Sequence, residues 1–66
     1  MVARITKIIG YSPHSWQDAV AEALRRANKT LRNLTSINVL EQRAKIEGGK
    51  ISEYEATVEV TFMVEE

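Results

Sequence analysis

The most regular stretch of the chain lies near its C-terminal end. Tyr54, Ala56, Val58, Val60, Phe62 and Val64 alternate with Glu53, Glu55, Thr57, Glu59, Thr61 and Met63. A period of two over that length predicts a strand with one apolar and one polar face. Before it, Thr35 to Ile46 forms another extended run, and Glu47-Gly48-Gly49-Lys50 separates the two. Paired glycines there predict a tight hairpin, because primed turns demand a positive φ that glycine reaches without steric cost. With Gly48-Gly49 as a two-residue loop, Val39 faces Val58 and Ile37 faces Val60, and the same face continues as Glu41 with Ala56 and Arg43 with Tyr54. The opposite face then carries Ser36, Asn38, Leu40, Gln42 and Ala44 beside Thr61, Glu59, Thr57, Glu55 and Glu53.

Upstream, Val2 to Ile9 is rich in β-branched side chains and ends at Gly10, which predicts a first strand closed there by a loop holding Tyr11. Ser12-Pro13-His14-Ser15 is a turn cluster, and Ser15 with Asp18 forms a variant of the capping box with aspartate in the usual place of glutamate. A helix is predicted from Trp16. Its apolar positions Trp16, Val20, Ala23, Leu24, Ala27 and Leu31 share one stripe, while Gln17, Asp18, Glu22, Arg25, Arg26, Lys29 and Arg32 mostly take the other sides. Acid near the start and base near the end suit the helix dipole, so the basic cluster needs no anionic partner. Asn33 ends the helix.

The element order is β-α-β-β. It predicts an α+β unit, one domain over residues 1–66, with a three-stranded antiparallel sheet wrapped around one helix. A helix of about 17 residues spans roughly 25 Å, whereas hairpin arms of about a dozen residues reach roughly 40 Å, so the helix cannot cover the sheet. The 66-residue length sharpens the point, since a chain so short buries only about 60% of the surface its unfolded form exposes. Cysteine is absent and histidine occurs once, which excludes disulfides and a Cys/His zinc knot as props. Self-association remains, and the surplus sheet surface is expected to pack against copies of the chain.

Nine basic residues balance nine acidic ones. That argues against a phosphate-tracking nucleic-acid binder and against a polybasic membrane anchor. No apolar run approaches the roughly 20 residues of a membrane span, and no secretory leader is recognisable, so a cytoplasmic location is expected. His14, the only imidazole, sits in the turn before the helix, which leaves nucleophilic catalysis little to work with. Gly48-Gly49 lacks the strand–loop–helix setting of a phosphate loop. An enzyme would have to use Glu55 or Glu41 as a base, with no partner acid, nucleophile or oxyanion donor in view, so a non-enzymatic role is expected.

Two sets of residues carry candidate chemistry. Glu53, Glu55 and Glu59 form an acidic row, its first two members about 7 Å apart because same-face neighbours are two positions apart. With an oxygen from Asn38 or Gln42 they are the candidate metal set, calcium being the cation that favours many hard oxygens. Against this stands the reading of a solvated acidic face balanced by Arg43, Lys45 and arginines from neighbouring copies. The aromatic residues are weaker candidates. Trp16 lies on the apolar stripe, where tryptophan packs, and Tyr54 and Phe62 fall on the face assigned to the core. Tyr11 is open to an intersubunit or a ligand contact.

The turn Gly10-Tyr11-Ser12, the stretch Ser15-Trp16-Gln17-Asp18-Ala19 and the run from Ala23 to Leu34 together resemble the dodecin family, and the likeness continues through Val39 to Arg43, the glycine turn and the closing alternation. The resemblance implies a hollow homododecamer with its helices outside. It also implies flavin, riboflavin or FMN, stacked in pairs between symmetry-related tryptophans, and a role in storage or scavenging. Two family features are replaced here. The stacking tryptophan, in a Trp-Phe-Glu-Val stretch at the start of the second strand, corresponds to Ser36 of Ser36-Ile37-Asn38-Val39. The glutamine that bonds the flavin edge corresponds to Glu55, which accepts hydrogen bonds without donating. Stacking on an aromatic platform contributes about 1–3 kcal/mol per ring, so its loss predicts flavin binding weakened about ten- to a hundredfold. The candidate ligand residues are Ser36, Asn38, Gln42 and Glu55, on the sheet face opposite the helix. For some members that lack the tryptophan, the resemblance implies calcium.

Overall fold

The computed structural model describes residues 1–65. Its elements are β1 (Val2–Ser12), α1 (Trp16–Thr30), β2 (Leu34–Glu47) and β3 (Lys50–Val64), so the β-α-β-β order holds. The three strands form one antiparallel sheet in the order β1-β3-β2. β3 is central, which explains why it carries the cleanest alternation: it alone has neighbours on both sides, and its Ala56, Val58 and Val60 are fully buried.

The helix begins as expected. Ser15 caps it, its Oγ accepting the Asp18 N–H at 2.9 Å. The reciprocal half of the capping box is relayed. Asp18 does not reach back to the Ser15 N–H. It accepts instead from the buried Ser12 hydroxyl at 2.6 Å, and Ser12 Oγ accepts the N–H groups of His14 at 2.9 Å and Ser15 at 3.4 Å. One hydroxyl thus ties the end of β1 to the first turn of α1.

The buried helix positions are Ala19, Ala23 and Ala27, facing Ala56, Val58 and Val60. Val20 and Leu31 flank this contact, whereas Leu24, expected on the buried stripe, is exposed. Ala19, outside the expected stripe, lies at its centre. The reason is distance. Small residues every fourth position let the helix sit close on the sheet, and the extreme point is Gly10, where a β-carbon would fall 2.1 Å from the Ala19 carbonyl oxygen. Gly10 therefore does not close the first strand, as the sequence suggested. β1 runs on through Tyr11 to Ser12, and the glycine marks a close approach inside the strand.

The hairpin turn has Gly48 and Gly49 at φ 59° and 78°. Val39 pairs with Val58 and Ile37 with Val60, as expected. Between them and the turn, however, the register differs: an irregularity after Val39 leaves Leu40 as an extra residue, and Glu41 then pairs with Thr57, Gln42 with Ala56, Arg43 with Glu55, Ala44 with Tyr54 and Lys45 with Glu53. A compensating irregularity near Ser52 restores the expected Glu47–Lys50 pairing. The slip moves Gln42 and Ala44 to the helix side and Glu41 and Arg43 to the open side, reversing the expected faces over this segment. In the observed register Arg43 and Lys45 lie opposite Glu55 and Glu53, which they would miss in the regular one, while the ion pair Arg43 makes is with Glu41.

The molecule measures 51 × 19 × 13 Å, while the 15-residue helix covers roughly 22 Å of that length. The helix lies on β1 and β3 and scarcely touches β2. Val39, Leu40, Ile46 and Ile51 are consequently exposed.

Candidate functional site

Among the described residues, nothing covers the sheet face opposite the helix. Register assigns its rows. Ile5, Thr61 and Ser36 lie side by side across the three strands, then Lys7, Glu59 and Asn38, then Ile9, Thr57 and Glu41, then Tyr11, Glu55 and Arg43, with Glu53 and Lys45 beyond the end of β1. Ser36, Asn38 and Glu59 therefore form one group. Glu55 and Glu53 form another. Ser36 is level with Thr61, six positions from Glu55 along β3, which puts the two groups about 20 Å apart at roughly 3.4 Å per residue. Gln42 belongs to neither. Expected on this face, it pairs with the buried Ala56 on the helix side and borders an open groove of about 480 Å³ with Val39, Leu40 and Glu41.

The acidic row does not converge within one chain. Among the described residues, no three His, Asp or Glu side chains are grouped to hold a metal ion. Each glutamate also has a cation beside it in the register: Lys7 by Glu59, Arg43 by Glu55 and Lys45 by Glu53. Arg43 makes its ion pair with Glu41, at 3.8 Å. A divalent cation needs oxygens at about 2.3–2.6 Å, so calcium at this row would require glutamates from more than one copy.

Ser36 is exposed and lines a recess of about 220 Å³ with Leu24, Leu34, Thr35 and Ile37. The recess is open and holds no aromatic ring. Trp16 does not supply one, because it is engaged on the helix side. Its indole N–H donates to the Arg43 carbonyl at 2.8 Å, and its ring meets Tyr54 edge to face, with centroids 4.9 Å apart at 80°. Packing, expected from the stripe, is what the residue does.

Sequence reasoning placed Tyr11 in a loop and so missed its setting. It is a strand residue on the open face, half exposed, beside Glu55. The alternation Ile5, Lys7, Ile9, Tyr11 was a usable signal once Gly10 is read as a strand glycine. Also missed was an open recess of about 310 Å³ at the other end of the sheet, where Arg4, Arg32, Phe62 and Met63 are among the lining residues.

Comparison with known proteins settles the family. The family model described as Dodecin matches residues 2–65. The chain belongs to the dodecin family. The calcium dodecin of Mycobacterium tuberculosis is 39% identical over 62 residues, which is 92% of this chain and 86% of that protein. Its crystal structure, described as that of a calcium-chelating antigen with a novel calcium-binding site, superposes with a TM-score of 0.85 at 36% identity, covering 98% and 93% of the two chains. The dodecin of Thermus thermophilus is 37% identical over 65 residues, 98% of this chain and 94% of that one. The dodecin of Streptomyces davaonensis, at 34% identity, superposes with a TM-score of 0.94 over 98% and 96% of the chains. This dodecin thus shares nearly its whole length with relatives that include a protein described as a calcium dodecin. Among the described residues, no helix is long and apolar enough to cross a membrane.

Proposed function

We propose that this dodecin is a non-enzymatic binding and storage protein that acts as an assembly of its own copies, a homododecamer, and takes a small planar ligand on the open sheet face. The observation that carries this reading is the separation of the candidate residues. Ser36 and Glu55 share a face, yet lie about 20 Å apart along one chain, so a pocket using both is built from more than one copy. Riboflavin and FMN are bound weakly, because Ser36 offers no ring and the Glu55 carboxylate no donor. The test is native mass spectrometry of the protein as isolated, with riboflavin titration of the same sample. An assembly that quenches riboflavin fluorescence weakly is expected. Well-folded monomers in dilute solution would sink the reading.

The second reading is calcium held by Glu53, Glu55 and Glu59 from adjoining copies, and the calcium-chelating relative favours it. Calcium should then raise the melting temperature, with the rise growing as the logarithm of its concentration above the dissociation constant, and magnesium should not. The cations set beside each glutamate oppose it, so the planar-ligand reading is preferred.

A further inference from the structure

We propose that Tyr11, Glu55 and Arg43 form a recognition row for a fused heteroaromatic ring whose edge presents two adjacent hydrogen-bond donors, a ring N–H beside an exocyclic amino group, as in pterins and guanine. This rests on the small-molecule reading above and narrows its ligand.

The register sets the three side chains next to one another across all three strands, neighbouring β-carbons being about 5 Å apart. Tyr11 is 50% exposed, so its ring has a free face on which a planar ligand can stack. Glu55, half-buried between its neighbours, accepts without donating. A carboxylate in that position is matched best by two parallel N–H groups, which engage both oxygens. A ring with an oxo group in place of the amino group would aim a lone pair at the same carboxylate. Arg43 makes its ion pair with Glu41, which leaves Glu55 open, and its guanidinium plane offers a second stacking or anion-binding element at the end of the row.

The row is also the best supported part of the open face. Directly behind it, Gly10 is pressed against the Ala19 backbone, Tyr54 meets Trp16 edge to face, and the Arg43 carbonyl accepts the Trp16 indole N–H. The backbone next to each member is therefore fixed from the helix side, as a pre-organised binding element requires.

The test titrates the full-length assembled protein with two matched probe pairs, pterin against lumazine and guanosine against inosine. Lumazine carries an oxo group where pterin has its amino group, and inosine lacks the amino group of guanosine. The amino member of at least one pair should bind about tenfold tighter or more, and the pair that shows it identifies the ring system. Glu55→Gln should cut that preference to about threefold or less, Tyr11→Ala should weaken the preferred probe about fivefold while keeping the preference, and Tyr11→Phe should bind like the parent. Equal affinity within both pairs, or a preference that Glu55→Gln leaves intact, overturns the proposal. If riboflavin binds and none of the four probes does, the proposal fails while the wider reading stands. If riboflavin and all four probes fail to bind, both fall.

Discussion

A methyl group at Gly10 would meet the Ala19 carbonyl oxygen at 2.1 Å and the Ala23 β-carbon at 3.1 Å. The first of these is backbone and cannot rotate away, so Gly10→Ala must lift the helix off β1. A cost of about 3 kcal/mol is expected, with a melting midpoint lower by more than about 10 °C. Gly48→Ala is the control. It has open space and only a positive φ to strain, so about 1 kcal/mol is expected. Equal losses at the two sites would contradict the strand–helix contact. At the ligand face the informative change is the double one, Ser36→Trp with Glu55→Gln. It returns a ring and a donor to the open face, and riboflavin affinity should rise at least about tenfold. Because the two positions are about 20 Å apart in one chain, the gain should vanish under conditions that dissociate the assembly.

At the scale of elements, the junction between β1 and α1 separates two kinds of cap. Ser15→Ala removes one acceptor from the first turn and should cost about 1 kcal/mol. Ser12→Ala removes the partner of Asp18 and the acceptor of two N–H groups at a buried site, and about 2–3 kcal/mol is expected. Chemical denaturation of the two variants under identical conditions gives the comparison, and a smaller loss for Ser12→Ala would refute the relay. The Ser15 cap was legible in the sequence because its donor is three residues away. The Ser12 relay was not, since it depends on β1 continuing past Gly10. The same limit explains the hairpin. Alternation located both arms, the turn and the Val39–Val58 pairing, because each is a local pattern. The slip at Leu40 escaped because an apolar residue there fits a regular strand as well as a bulge. The signal lay in charge: the glutamates at 53 and 55 find Lys45 and Arg43 only when β2 gains one residue. The candidate site inherited that error, so Gln42 was placed on the wrong face while Ser36, Asn38 and Glu55, which pair outside the slip or lie on β3, kept theirs.

For the whole molecule, shape carries the argument for assembly. Its accessible surface is 4953 Å², against about 4,250 Å² for a compact 7.5 kDa protein. The Cα radius of gyration is 13.5 Å, where about 11 Å is usual for this length. Among the described residues only six apolar side chains are buried, four of them alanine, and that core is too small to hold a 51 Å sheet by itself. The surplus lies along both edge strands: Val2, Ile5 and Ile9 are exposed on β1, and Val39, Leu40 and Ile46 on β2, which the helix scarcely covers, Ile46 being 67% exposed. Burying those side chains against another copy contributes roughly 1.5–3 kcal/mol each, enough to decide between monomer and assembly. Val39→Glu places a charge in the β2 strip, and sedimentation should show the large species reduced or lost, with unfolding at a lower temperature than the parent's at the same protein concentration. Arg25→Glu is the matched control on the solvent side of the helix, where Arg25 pairs with Glu22. It exchanges that pair for a repulsion worth a few tenths of a kcal/mol and should leave the assembly intact. If Arg25→Glu dissociates the protein and Val39→Glu does not, copies meet through the helix, and β2 needs another explanation for its apolar edge.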